Sequence, residues 1–245
     1  HCFSYLCFAY KCYAPSSYVN ICIRNEYLWI FTMEKEMKAN GNKPLTEEQK
    51  QNTITRAEHY YGKFMSSLGF EWETDPNASE TPHRVAKAWV NDLAEGCFNH
   101  PPKITAFDNV DNYDGMVFEG NIQVHSMCSH HHLPFFGVAH VAYIAKPEGK
   151  IIGLSKLNRT VEFYSRRPQV QENLTMQIHD HLDEVLEVHG GIAVMVSAKH
   201  LCACLRGVKH PHSEMKTSKL SGAFRDGDYS VRQEFYNFVK DMKGC

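Results

Sequence analysis

Four imidazoles and one thiol fall within eight residues of the chain, at His125-Ser-Met-Cys128-Ser-His130-His131-His132. The run then closes on Leu-Pro134-Phe-Phe-Gly137. Cys128 and His131 have the C-x-x-H spacing with which one turn can present a sulfur and a nitrogen to a single zinc ion. Two ligands do not complete a site, so a third must come from elsewhere. The best donor segment is His200-Leu-Cys202-Ala-Cys204-Leu-Arg206-Gly207. As a strand, that segment would turn His200, Cys202, Cys204 and Arg206 to one face. A zinc held by Cys, His and Cys keeps its fourth position for water, the arrangement of a hydrolytic centre. His130 and His200 would stand beside it as proton carriers titrating near neutrality. The competing reading is a structural zinc module in which Cys204 closes the coordination shell.

A substrate would be read by a second group of residues. Ser155-Lys156-Leu-Asn-Arg159 opens a helical pattern, and free N–H groups at a helix start favour an anion. Lys156 and Arg159, three apart, share a face, and Arg206 adds a third cation. Together they would make a phosphate cradle. Gln171-Glu172 offers a carboxylate that can accept paired N–H donors from the edge of a guanine ring. Each of these residues has a plainer alternative as a solvated helix-surface group.

The elements that must position them are mostly readable. Thr46-Glu-Glu-Gln49 has the form of a capping box. Ile54, Ala57, Tyr61, Phe64, Met65 and Leu68 follow at helical intervals, with Gly69 as the stop. A second helix is expected from Thr81 as N-cap, with Pro82 in its first turn, to Gly96. Residues 99–120 read as loop. Short strands are expected at Asn121–Met127 and Val138–Ala145, flanking the Cys/His turn. A helix starting at Ser155 is interrupted by Pro168, and a longer one runs from Val170 to Val188. Ile192–Ala198 is a β-rich run leading into the second ligand segment. The stretch from Ser213 to Asp228 is polar, and a last helix covers about Val231–Met242.

Composition bounds the alternatives. The chain has 245 residues, 43% hydrophobic and 22% charged, with a net charge of -2. No basic block suggests nucleic acid or a membrane surface, so any phosphate recognition must be local. Of nine cysteines, Cys2, Cys7, Cys12 and Cys22 crowd the start, and the clustered later ones read as metal ligands in a reducing, cytoplasmic setting. Residues 1–32 carry nine aromatics broken by Lys11, Pro15, Arg24 and Glu26, too interrupted for a membrane span. They are expected to be an extension outside the fold. The division expected is 1–32 unassigned, 33–120 an N-terminal helical region and 121–245 the catalytic region.

Five stretches, in this order, resemble the zinc-dependent GTP cyclohydrolase I family. They are Thr81-Pro-His-Arg-Val-Ala-Lys-Ala88, Met127-Cys-Ser-His-His131, Ile152-Gly-Leu-Ser-Lys-Leu-Asn-Arg159, Tyr164-Ser-Arg-Arg-Pro-Gln-Val-Gln-Glu-Asn-Leu-Thr175 and His200-Leu-Cys-Ala-Cys-Leu-Arg-Gly207. The resemblance covers roughly residues 45–242. It implies an α+β T-fold, antiparallel sheets backed by helices, assembled as a homodecamer with active sites between subunits. It implies Cys128, His131 and Cys202 as ligands of Zn2+, and His130 and His200 as the proton-transferring histidines. Ser155, Lys156, Arg159 and Arg206 would hold the ribose and triphosphate of GTP, and Gln171 and Glu172 the guanine. The implied reaction converts GTP to 7,8-dihydroneopterin triphosphate and formate, the first step of folate or tetrahydropterin synthesis. Ser129 departs from the family pattern, which usually has Glu between the ligand Cys and the paired His.

Overall fold

Local rules set the first helix of the computed structural model, which describes residues 37–242; the expected extension at 1–32 lies outside these. Helix α1 (Glu47–Ser67) begins with the capping box: Gln49 N–H donates to Thr46 Oγ1 at 3.2 Å, and Thr46 N–H donates to Gln49 Oε1 at 2.8 Å. Gly69, at φ +80°, ends it in the left-handed conformation that glycine adopts without penalty. The apolar face is only partly covered. Ile54 and Met65 are buried, whereas Phe64 and Leu68, expected to pack, are each 53% exposed.

Helix α2 spans Thr81–Ala88 and α3 spans Glu95–Phe98, with a π-helical turn over Trp89–Leu93 between them. Thr81 is the first helical residue rather than the N-cap, a place taken by Glu80 without a side-chain bond. The expected single helix ending at Gly96 is therefore three pieces.

The sheet is longer than its sequence signal. Strand β1 (Ala106–Asp108) lies in the stretch read as loop and pairs with β4 (Lys150–Ile152). Strands β2 (Met116–Cys128) and β3 (Pro134–Ile144) extend the two short expected strands. Because β2 starts at Met116, it crosses the position expected to divide 33–120 from 121–245. Between the strands and the chain end come α4 (Leu154–Ser165), β5 (Pro168–Gln169), α5 (Gln171–Leu186) and β6 (Gly191–His200). They are followed by α6 (Leu201–Cys204), β7 (Met215–Leu220), α7 (Ala223–Asp226) and α8 (Tyr229–Asp241). The main sheet has the order β5-β2-β3-β6-β7. Its pairs are antiparallel except β2 with β5, which is parallel.

Alternation along the central strands builds two cores. Val141 and Tyr143 of β3, with Val194 and Val196 of β6, pack with Leu157 and Val161 of α4 and with Leu174, Ile178 and Leu182 of α5. The intervening Ala142 and Ala193 face Phe224, Phe235 and Val239 of α7 and α8. Burying each of these large side chains contributes about 1.5–3 kcal/mol. This is the expected α+β T-fold, an antiparallel sheet backed by helices. Contacts group the chain from Ala39 onward as one compact unit. No helix among the described residues is long and apolar enough to cross a membrane.

One buried histidine ties α5 to the far edge of the sheet and sets a pH dependence. His179 is 3% exposed. Its Nδ1–H donates to Asp180 Oδ1 at 3.1 Å, so its Nε2 accepts from the Ser221 hydroxyl at 2.9 Å. Burial holds its pKa below the ordinary histidine value, against the upward pull of Asp180. Burial lowers neighbouring His181 as well. Folded protein therefore binds these protons more weakly than unfolded chain does. The stability is fully present above the unfolded pKa of about 6.5 and is lost as pH falls below it, by up to about 1.4 kcal/mol per pH unit for each histidine. Urea midpoints should fall between pH 7.5 and 5.5, and His179→Gln, which keeps an acceptor for Ser221, should flatten that fall.

Candidate metal centre and substrate site

The turn after β2 brings the first two candidate ligands together. His132 N–H donates to Cys128 O at 2.8 Å, and Cys128 N–H donates to Leu133 O at 2.9 Å. His132 takes φ 51° to make the reversal, and its ring packs against Trp89 of the π-helical turn, centroids 4.9 Å apart. Ser129 N–H donates to Gln169 O at 3.1 Å, tying the turn to β5. Within this frame Cys128 is buried and His131 is exposed.

The third candidate ligand arrives differently from the strand expected. The β3–β6 ladder ends at the pair Phe135↔His200. The next partner would be Pro134, which has no N–H to donate, and the chain curls into the single helical turn α6. Residues two apart on a helix diverge by about 200° rather than sharing a face. Cys202 turns toward Cys128, with the sulfurs 4.0 Å apart, while Cys204 Sγ lies 4.0 Å from Pro211 O. The ligand atoms of Cys128, His131 and Cys202 all lie within 4.8 Å of one another.

This set fits a metal ion. Two sulfurs each about 2.3 Å from one tetrahedral zinc would be about 3.8 Å apart, close to the separation found. Burial, then the neighbouring Cys128 sulfur, pushes the Cys202 thiol above its ordinary pKa. Two adjacent thiolates need a cation between them.

Around the ligands, His200 is fixed from two sides. Its ring stacks on Phe135 at 4.5 Å and 7°, and its Nε2 is 2.9 Å from Gln171 Oε1. Burial lowers its pKa, and the Glu172 carboxylate opposes that. Arg206 Nη1 lies 2.8 Å from His131 Nε2, which puts this cation at the cluster. His130 is exposed on the turn, its ring 6.4 Å from that of His131.

The other expected site residues are spread more widely. Glu172 is exposed in the first turn of α5, whereas neighbouring Gln171 is buried. Ser155 and Arg159 are exposed on α4, whose N-cap is Gly153. Lys156 Nζ donates to Lys103 O at 3.2 Å. Arg159 lines a hollow with Glu95, Asn99, His100 and Glu162. Sequence reasoning missed Phe135 and the polar residues that hold Gln171; the Phe135↔His200 register was the signal for the first, and only a strand pairing reveals it.

Comparison with known proteins identifies the family. The sequence model described as GTP cyclohydrolase I matches residues 46–240. The chain is 39% identical to the GTP cyclohydrolase 1 of Flavobacterium johnsoniae, covering 84% of this chain and 92% of that one. It is 45% identical to that of Sulfurihydrogenibium sp., covering 74% and 91%, and 47% identical to that of Chlorobium chlorochromatii, covering 66% and 70%. With the match running from the cap of α1 into the last turn of α8, the chain belongs to the GTP cyclohydrolase I family.

Proposed function

We propose that this chain is a zinc-dependent GTP cyclohydrolase I, converting GTP and water to 7,8-dihydroneopterin triphosphate and formate. The observation that carries the reading is the Cys128–His131–Cys202 cluster with His200 held beside it. When bound there, zinc supplies the acidity that makes water a nucleophile at neutral pH.

The chain's own residues account for the rest. Water adds at C8 of the guanine, and N7 must take a proton as it does, or negative charge builds on the ring nitrogen. His200, fixed from two sides, delivers that proton, and exposed His130 exchanges protons with solvent. The C8–N9 bond opens, a second hydration releases C8 as formate, and the ribose carbons rearrange to close the pterin ring. Glu172, near enough to His200 to act on its pKa, accepts the N–H edge of the guanine. Ser155, Lys156 and Arg159 at the start of α4, with Arg206, bind the ribose and triphosphate. Those phosphates do not react, so their cradle serves orientation.

The proposed assembly is a homodecamer with sites shared between subunits, which the exposed Phe64, Leu68, Phe107 and Phe136 support. The free-thiol ligand set suits a reducing compartment, and the cytoplasm is the proposed setting. Incubating purified, zinc-loaded protein with GTP tests the reading: formate and a pterin that oxidises to fluorescent neopterin should both accumulate. Absence of both would overturn it.

Glu172 gives a sharper check. Glu172→Gln replaces an acceptor with an amide that turns N–H toward N–H. A lost charged hydrogen bond costs on the order of 1.5–3 kcal/mol, so kcat/KM for GTP should drop at least tenfold at unchanged zinc content. Wild-type kinetics would make Glu172 a solvated residue that only complements the helix dipole.

A further inference from the structure

We infer that Gln171 is a positioning residue that fixes which nitrogen of His200 exchanges protons, rather than a contact to guanine. This rests on the reading of His200 as a proton carrier. The side chain of Gln171 is 1% exposed. Its Nε2 lies 3.0 Å from Val196 O, 3.1 Å from Met215 O and 3.1 Å from Thr217 Oγ1. Two of those partners are carbonyl oxygens, which only accept, so the NH2 end must face them. A flipped amide would set oxygen against both carbonyls.

The third partner agrees. Thr175 Oγ1 donates to the Gln171 carbonyl at 3.0 Å and therefore accepts from Thr217 Oγ1, 2.6 Å away. With its own hydrogen spent on Thr175, Thr217 presents a lone pair, so the two hydrogens of the amide face three acceptors and no donor. Main-chain carbonyls thus set each direction: Val196 of β6 and Met215 of β7 orient the amide, and Gln171 O of α5 orients the two threonines.

The consequence falls on His200. Gln171 Oε1 can only accept, so the His200 Nε2 it faces at 2.9 Å must carry a hydrogen. That bond is compatible with neutral imidazole and with imidazolium alike. Proton exchange is left to Nδ1, which makes no hydrogen bond among the described residues. Tilting would take the ring off Phe135, on which it stacks at 4.5 Å, and a flip would set a carbon against Gln171 Oε1 in place of Nε2. Gln171 therefore holds a single tautomer and a single ring orientation through the whole reaction, and His200 works through Nδ1 alone.

Two measurements on the zinc-loaded enzyme test this. Two-bond nitrogen–proton correlation spectra of histidine-labelled protein, with His200 assigned by its loss in His200→Gln, should show neutral His200 protonated at Nε2. Finding Nδ1–H instead would overturn the inference, whatever the activity. Gln171→Met keeps the bulk and removes the network: kcat should fall at least tenfold, as when other oriented histidines lose their partner, while KM and the affinity for a C8-blocked GTP analogue stay within twofold. A tenfold rise in KM and in analogue dissociation at preserved kcat would make Gln171 a guanine contact and sink the proposal. Thr217→Val, which removes one acceptor of the amide, should lower kcat severalfold with KM unchanged and stands in if Gln171→Met does not fold; an unchanged kcat there would equally count against it. Wild-type enzyme that shows Nε2–H but makes no pterin would fail the proposed function and leave the tautomer assignment standing.

Discussion

Cys202→Ala protein should be isolated without stoichiometric zinc and should turn over no measurable GTP, while Cys204→Ala keeps its zinc and most of its activity. The two cysteines are two residues apart, and on a strand they would be equivalent. Were both bound together with Cys128 and His131, the metal would be four-coordinate, with no position for water and no hydrolysis. Helix α6 separates them instead: Cys202 Sγ is 4.0 Å from Cys128 Sγ, and Cys204 Sγ is directed to Pro211 O. Removing Cys202 leaves one sulfur and one exposed imidazole, too few donors to hold the ion against dilution. Removing Cys204 costs a weak contact at a partly exposed position. Zinc analysis and a GTP assay on the two variants decide the matter. If Cys204→Ala sheds zinc as readily as Cys202→Ala, the centre is closed, and the hydrolytic mechanism fails with it.

The Cys202/Cys204 ambiguity also shows where sequence reading stops. Cys128 and His131 could be paired from their spacing, because one turn brings them together and a turn is a local object. Cys202 was placed in the segment that meets Cys128, since Ile192–Ala198 is rich in β-forming residues and the Cys-x-Cys pair follows it. Its choice over Cys204 came from the family resemblance alone, because residue spacing does not say that the chain leaves the ladder after His200 and curls into α6. Helix α1 was legible in its cap and stop, both made by residues within a few positions of each other. The exposure of Phe64 and Leu68 was not, because helical periodicity marks an apolar stripe without saying what covers it. Strand β7 was read as a polar tail. Its sequence Met-Lys-Thr-Ser-Lys-Leu carries lysines at the edge of the sheet, where charge is common and the apolar signal is weak. Gln171 was singled out beside Glu172 as a guanine contact, yet the two neighbours point to different environments. A step of one residue, about 100° around the helix, separates the buried face from the exposed one, and only the packing of α5 on β6 and β7 says which is which.

Gly137→Ala should cost about 3 kcal/mol of stability or more and should weaken zinc binding, although Gly137 touches no ligand. A Cβ added there would lie 2.0 Å from Ser197 O and 2.7 Å from Ala198 Cα. Both are backbone atoms of β6, so no side-chain rotation can relieve the clash. Overpacking a core with one methyl group commonly costs 1–3 kcal/mol, and a clash with the ladder itself belongs at the top of that range. The strands can escape only by separating at the Gly137↔Ala198 pair. Two residues along the same ladder is Phe135↔His200, the pair whose stacking orients the proposed proton carrier and whose end launches the turn bearing Cys202. A shift at Gly137 therefore reaches one ligand and one histidine together. Gly69→Ala supplies the comparison. Gly69 sits at φ +80° with nothing within 4 Å of the added carbon, so its cost is the left-handed backbone strain alone, about 1–2 kcal/mol, and zinc affinity should not change. Urea melts and zinc titrations on both variants separate the two cases. Gly137→Ala protein with native zinc affinity would show that the centre is insulated from the β3–β6 ladder, contrary to the geometry described above.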